Sequence, residues 1–227
     1  MRLDVVSAAV IIARKDLAIE FRTRSAFFSA VVFSLLSVAI FYFAWDPTAI
    51  PAVDLAPGVL WVTFAFGGLL GLHRSFAVED AEGAMDALLS APIPREAIFL
   101  GKAGANLVFV LGVQAVAIPA VMLFYNVGGG MAWLPIAAIT VLASIGLVAV
   151  GTLFSSLVAN TRLAELLLPL LALPFFVPIV TSAAQATAHL LGGRPLTEAA
   201  SWLKLLAAYD LVFVAACAWI YPHSLDS

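Results

Sequence analysis

The most polar stretch of the chain is residues 73–102, which read HRSFAVEDAEGAMDALLSAPIPREAIFLGK. It holds five of the fourteen acidic residues and three of the eleven basic ones, and apolar runs flank it on both sides. Of all 227 residues, 63% are hydrophobic and 11% are charged, whereas soluble proteins average about 45–50% apolar and about 25% charged residues. We therefore expect a polytopic membrane protein in which residues 73–102 form the largest water-facing segment.

Six apolar runs are long enough to cross a bilayer, which takes about 20 helical residues. They predict an all-α fold, a single transmembrane domain over residues 1–227, with spans at about 25–45, 55–72, 103–125, 133–158, 163–180 and 202–221. The fifth run contains Pro169, Pro174 and Pro178, which predict a kinked or broken helix. Residues 181–191 are too short and too polar to span and are interpreted as a re-entrant or surface helix.

The N-terminal residues 3–24 are predicted to form an amphipathic helix at the membrane interface. Its apolar face at helical spacing consists of Val6, Val10, Ala13, Leu17 and Phe21. Basic residues lie mostly on the other side, where they attract anionic lipid. A simple cytoplasmic anchor ahead of the first span is the equally open alternative.

The basic residues set the predicted orientation, because cytoplasmic loops carry an excess of Lys and Arg. Six spans leave both termini on one side, and nine of the eleven basic residues lie on that side. The other side has only Arg194 and Lys204. Both termini and residues 73–102 are therefore predicted to be cytoplasmic in a bacterial inner membrane.

The chain lacks the motifs of an autonomous enzyme. It has no phosphate-binding loop, no H-E-x-x-H, no G-x-S-x-G and a single cysteine, Cys217. No basic stripe suggests nucleic-acid binding. These absences favour transport or scaffolding over catalysis, and no metal site is predicted.

Within the polar stretch, a short helix is predicted at residues 84–90, after a group of acids and before two prolines. An amphipathic helix that projects between two spans suits a groove on another protein, although a solvated loop is the alternative. The predicted coupling residues are Glu79, Asp80, Glu82, Gly83, Met85, Asp86, Leu88, Leu89 and Pro92.

Residues 82–94, continuing to residues 100–102, resemble the first cytoplasmic loop of ABC-2-type exporter permeases. Residues 16–24 (Asp16, Leu17, Glu20, Arg22 and Arg24), 56–61 and 74–76 resemble more narrowly the CcmB haem exporter permeases of cytochrome c maturation. The resemblance covers nearly the whole chain and is strongest over residues 14–102.

The resemblance implies a permease that pairs with a separate ATP-binding, CcmA-like subunit, with residues 84–90 as the coupling helix. It further implies other maturation subunits in the membrane, a periplasmic haem chaperone and haem as possible cargo. A permease dimer is possible. Two other hypotheses remain, namely an ABC-2 exporter of lipid, drug or glycan, and a non-transporting assembly scaffold.

Three further residues are candidates for a functional role. Asp210 lies inside the sixth span, where a carboxylate costs about 2.5–3.5 kcal/mol, and is a candidate cargo-path or gating residue or a structural hydrogen-bonding group. Glu165, three residues after Arg162, either forms a surface ion pair or takes part in ATPase coupling. His189 is a weak candidate haem ligand, the alternative being an ordinary loop residue.

Overall fold

The computed structural model describes residues 4–82, 91–127, 133–158, 161 and 163–224, and the prediction of an all-α fold is confirmed over these ranges. Its seven helices are α1 Val5–Thr23, α2 Ser25–Ala44, α3 Ala52–Glu82, α4 Arg95–Tyr125, α5 Trp133–Val158, α6 Ala164–Leu191 and α7 Leu196–Ser224. Six of them, α2 to α7, are long and apolar enough to cross a membrane. The six predicted spans thus correspond to six helices.

The prediction of a break after the fifth span is wrong. Helix α6 continues through all three prolines to Leu191. The polar part of α6 fits inside the bundle because its polar side chains find partners there. Ser182 and Thr187 are buried, the Ser182 hydroxyl donates to the Pro178 carbonyl over 2.6 Å, and Thr187 accepts from a side chain on α3.

Three other helices extend further than the predicted spans, and α7 is one of them because it begins at Leu196 rather than near 202. Helix α3 runs ten residues past position 72, to Glu82, and α4 begins at Arg95 rather than near 103. At 1.5 Å per residue, the 31 residues of α3 measure about 46 Å. A hydrocarbon core is about 30 Å thick, so one end of α3 projects well beyond it.

Helices α3 and α5 form the centre of the bundle. In their apolar stretches 72% of the residues are buried, against 17–33% in the other spans. Helix α3 packs against α2, α4 and α6, and α5 packs against α6 and α7. Small residues bring the helices close together, since the Gly151 backbone lies against the Leu72 side chain. Such contacts are typical of helix pairs in lipid.

The bundle end opposite the termini is fixed by aromatic side chains. Trp45 lies 5.4 Å from Tyr125 between ring centroids, and Tyr42 lies 5.4 Å from Phe124. In the adjoining loop, hydrogen bonds from Thr48 hold the pKa of Asp46 below its ordinary value. The charged contacts described next lie at the other end, so the two ends of the molecule differ in chemistry.

Candidate functional site

The predicted coupling stretch begins on the projecting end of α3. Glu79, Asp80 and Glu82 lie in the last four residues of this helix. They occupy the carboxyl end of α3, whose partial negative charge disfavours acids. The prediction that they also precede a helix at 84–90, where a positive dipole end would favour them, falls on residues outside the described ranges. This end of α3 therefore gains from any cationic partner.

The core of that stretch, residues 83–90, lies outside the described residues. The predicted helix at 84–90 and the roles of Gly83, Met85, Asp86, Leu88 and Leu89 therefore stay predictions. Description resumes at residue 91, and Pro92 lies in the bend that leads into α4. Pro94 is the residue before α4, with an extended backbone at φ −62° and ψ 137°. Proline fits here because its fixed φ suits a helix entrance.

The first turns of α4 pack against α1. A Cβ at Gly101 would lie 2.7 Å from the Ile12 Cβ and 2.8 Å from the Ala9 carbonyl oxygen. Only glycine permits so close an approach of two backbones. Ala8 and Ile12 are the buried residues of α1. This contact attaches the N-terminal helix directly to the exit of the coupling stretch.

A buried ion pair lies beside that contact. The Lys102 side chain is fully buried, and its Nζ lies 3.6 Å from Oδ2 of Asp16. The other oxygen of Asp16 lies 3.0 Å from Nζ of Lys15. One carboxylate thus faces two ammonium groups, and this explains Asp16 and Lys102 as structural members of the motifs noted in the sequence.

Part of the apolar face predicted for α1 is turned away from the bundle. Val6, Val10 and Phe21 are 48–67% exposed, whereas Ala13 of the same face lies near Gly104 of α4, and Ile12 and the Ala9 backbone lie near Gly101. The helix therefore has two apolar sides, one of which packs on protein. The outer side is left for lipid or a partner, and its position at the membrane interface stays a prediction.

A sharp turn joins α1 to α2. Arg24 ends one helix and precedes the other with a left-handed φ of 54°. Glu20 fixes the turn, because its Oε1 accepts a hydrogen bond of 2.9 Å from the Phe27 backbone N–H. This satisfies one of the free amides in the first turn of α2. Movement of α1 is thereby linked to α2.

The intramembrane carboxylate of Asp210 lies between α7 and α5. The residue is 6% exposed, and a Cβ at Gly146 would collide with Oδ1 of Asp210. Neither carboxylate oxygen has a hydrogen-bond partner within the part of the chain that the structure describes. One residue earlier, the Tyr209 hydroxyl donates to the Phe175 carbonyl over 2.7 Å. The carboxylate is thus placed precisely in the bundle, without a compensating group there.

Two hydrogen bonds between spans were not predicted. Trp61 donates through Nε1 to Thr187 over 3.0 Å, and Asn106 donates through Nδ2 to Thr152 over 3.1 Å. All four side chains are buried. Isolated polar residues in apolar runs indicate that such hydrogen bonds are needed, but the sequence does not indicate which residues pair with each other.

The remaining candidates are less informative. Glu165 lies in the first turn of α6, and Arg162 is outside the described residues, so their predicted ion pair stays untested. His189 Nδ1 lies 3.2 Å from Nη1 of Arg194. A guanidinium only donates, so Nδ1 is the acceptor in this contact. The haem-ligand role of His189 stays a prediction.

Comparisons with known proteins agree over most of the chain. The model of the family described as CcmB protein matches residues 7–227. The chain is 31% identical over 172 residues to Heme exporter protein B of Rhodobacter capsulatus, covering 75% of this chain and 78% of that protein. It is 30% identical over 203 residues to the Paracoccus denitrificans protein of the same name, covering 88% and 90%. The Pseudomonas aeruginosa protein of that name is 26% identical over 211 residues, covering 87% and 88%.

Proposed function

The chain belongs to the CcmB protein family, and on this premise we propose that it is the membrane permease subunit of an ABC transporter that exports haem for cytochrome c maturation. The observation that carries the proposal is the family match over residues 7–227, together with relatives named Heme exporter protein B along most of their length. Six apolar helices long enough to span a membrane support the assignment.

ATP hydrolysis takes place on a separate, CcmA-like subunit. The sequence contains no phosphate-binding loop, and a polytopic chain without one needs an external source of energy. The permease is thus a translocating subunit rather than an enzyme by itself. Other membrane subunits and a periplasmic haem chaperone complete the proposed assembly, and a permease dimer is compatible with it.

The ATPase binds the coupling stretch, residues 79–92. The length of α3 supports this, because the helix carries Glu79, Asp80 and Glu82 well past the hydrocarbon core. Acids at the carboxyl end of a helix are stabilised by a cationic partner surface. Leu88 and Leu89 would supply the apolar contact, as in helix-in-groove recognition.

Motion of the coupling stretch is transmitted beyond its two flanking helices, α3 and α4, to α1 and α2. Helix α4 begins directly after it, and the Gly101 contact and the Lys102–Asp16 ion pair join α4 to α1. The Glu20-fixed turn joins α1 to α2. The proposed transmission path therefore runs from the coupling stretch through α4 and α1 to α2.

The proposed orientation puts both termini and the coupling stretch in the cytoplasm of a bacterial inner membrane. Nine of the eleven basic residues fall on that side of the six spans, which supports it through the positive-inside rule. Asp210 is the proposed cargo-path or gating residue, supported by its burial without a hydrogen-bond partner among the described residues. A structural bond to a partner subunit is the alternative role.

The proposal is tested in a strain that lacks its own copy of this permease. The wild-type chain should restore haem-stained c-type cytochromes, and an ATPase-dead partner subunit should abolish them. Normal maturation with the dead ATPase would favour the scaffold hypothesis instead. Restoration of lipid or glycan export without cytochromes would favour the second exporter hypothesis.

The coupling assignment is tested separately by the double change Leu88→Glu and Leu89→Glu. We expect loss of the ATPase on co-purification with an unchanged amount of folded permease. Leu163→Glu is the matched control, because Leu163 is an exposed leucine in the connection between α5 and α6. Retention of the ATPase by the double variant would contradict the assignment.

A further inference from the structure

A cleft of about 380 Å³ opens between α5 and α7. Its volume falls in the range of about 300–1,000 Å³ that is typical of ligand sites. The wall is aliphatic, with Ala138 and Leu142 on one side and Leu203 and Ala207 on the other. The charged residue among those that line it is Lys204. The cleft therefore combines an apolar surface with one cation.

The cleft lies at the bundle end opposite the termini, near the starts of α5 and α7. Lys204 is eight residues after Leu196, where α7 begins, which corresponds to about 12 Å along the helix axis. That position is inside the apolar span Leu196–Tyr221. A lysine at this depth extends its stem along apolar surface and directs its ammonium group toward the headgroups.

The charge of Lys204 has no counterpart in the described part of the chain. The ion pairs found there join Lys15 and Lys102 to Asp16. The acids of α7, Glu198 and Asp210, each lie six residues from Lys204, whereas neighbours on one helix face are three or four residues apart. A cation at an apolar cleft without an internal partner points to an anionic ligand with an apolar body.

We propose that this cleft is a binding site for one acidic phospholipid. An acyl chain lies along the aliphatic wall, and the headgroup phosphate pairs with Lys204. The described lining residues are aliphatic apart from Lys204. Such a wall suits an acyl chain better than a porphyrin, which needs stacking or an axial ligand. Under the proposed orientation, the lipid comes from the outer leaflet.

The lipid would also act on the bundle. Ala207 is three residues before Asp210 on α7, so the cleft ends about one helical turn from the buried carboxylate. An acyl chain between α5 and α7 fills the space beside the Gly146–Asp210 contact. Occupancy therefore stabilises the packing that holds Asp210 in place, whatever cargo the transporter carries.

Native mass spectrometry of the full chain in detergent tests the proposal. Phosphatidylglycerol and phosphatidylcholine with identical acyl chains are the two probes. We expect about a fivefold preference for phosphatidylglycerol, the size expected for one lysine near an anionic headgroup. Lys204→Gln should abolish the preference, and Arg194→Gln, a cation outside the cleft lining, should retain it.

A second variant separates the cleft from the charge. Ala138→Phe fills the cleft and should reduce retention of both lipids, whereas Lys204→Gln should reduce only that of phosphatidylglycerol. Equal retention of both lipids by the wild type, or an unchanged preference in Lys204→Gln, would overturn the proposal. Displacement of phosphatidylglycerol by haemin in the wild type but not in Lys204→Gln would overturn it in favour of a porphyrin dicarboxylate.

Discussion

Two helix junctions in this molecule place a buried charged side chain near a glycine, and they differ in what compensates the charge. Where α1 meets α4, Lys102 lies by Gly101 and is paired with Asp16. Where α5 meets α7, Asp210 lies against Gly146, and its oxygens have no hydrogen-bond partner in the described residues. Among the described residues, the buried charge of the first junction faces an opposite charge, and that of the second does not.

This difference separates a connecting role from a functional one. Burying a charge is costly unless it is paired. The Lys102 ammonium faces the opposite charge of Asp16 at 3.6 Å, and an ion pair of this kind suits a permanent link between helices. The Asp210 oxygens have no hydrogen-bond partner among the described residues, and such groups in a membrane are functional candidates by default. We therefore expect changes at the first junction to affect folding, and changes at the second to affect transport.

The largest effect on stability is expected from Asp16→Ala. It leaves Lys102 fully buried, with Lys15 as a second cation nearby. Removing one partner of a buried pair costs about 3–5 kcal/mol. Since 12% of the Asp16 side chain is exposed, we expect the lower end of that range. The free energy of unfolding in SDS titrations measures the loss.

Two control variants make the Asp16 test specific. Lys15→Ala removes a lysine that is 37% exposed and should cost about 0–1 kcal/mol. Lys102→Met removes the buried charge and leaves Asp16 its other lysine, so it should cost less than Asp16→Ala. Equal stability of Asp16→Ala and Lys15→Ala would show that the ion pair contributes nothing to the link.

Alanine substitutions at the two glycines are expected to change stability less than Asp16→Ala does. In Gly101→Ala the new methyl group meets the Ala9 carbonyl and Ile12 Cβ, atoms at or next to the backbone, and overpacking of this kind costs about 1–3 kcal/mol. In Gly146→Ala it meets the carboxyl end of Asp210, which can rotate. Alanine also favours a helix over glycine by about 1 kcal/mol at both positions. This offsets part of the cost at Gly101 and leaves Gly146→Ala near neutral.

The same unfolding measurements rank the two glycine variants. Gly101→Ala should also weaken co-purification of the ATPase, because it moves α1 away from α4. A Gly146→Ala variant that is less stable than Gly101→Ala would contradict the distinction between the junctions. It would show that the Asp210 side chain is held as rigidly as a backbone.

The sequence predicted the elements of this fold better than their contacts. Run length and hydropathy identified six spans, because crossing lipid demands long apolar helices with internally bonded backbones. Run length and hydropathy gave the wrong interpretation of residues 181–191, which belong to α6 because their polar side chains have hydrogen-bond partners inside the bundle. Thr187 is an example, since its partner Trp61 is 126 positions away along the chain.

The candidate site shows the same limit. Asp210 was identified from the sequence because a charge in an apolar span is conspicuous. The Gly101 contact and the Asp16–Lys102 pair were not, because they depend on how α1 crosses α4. The apolar periodicity of α1 identifies its exposed apolar side, which includes Val6, Val10 and Phe21, but not the side on which Ile12 meets Gly101 of α4.

The smallest effect on stability, with a large effect on function, is expected from Asp210→Asn. The amide keeps the shape of the carboxyl group and breaks no hydrogen bond found in the described residues, so the unfolding free energy should change by about 1 kcal/mol or less. If the carboxylate contacts cargo or gates its path, cytochrome c production should fall by roughly tenfold, which corresponds to about 1.4 kcal/mol. Asp54→Asn, at an exposed acid in the first turn of α3, is the control.

Full cytochrome c production with normal assembly would remove Asp210 from the functional residues. Loss of production together with loss of a co-purifying subunit would assign the carboxylate to an interface and make the two junctions alike, one completed within the chain and the other by a partner.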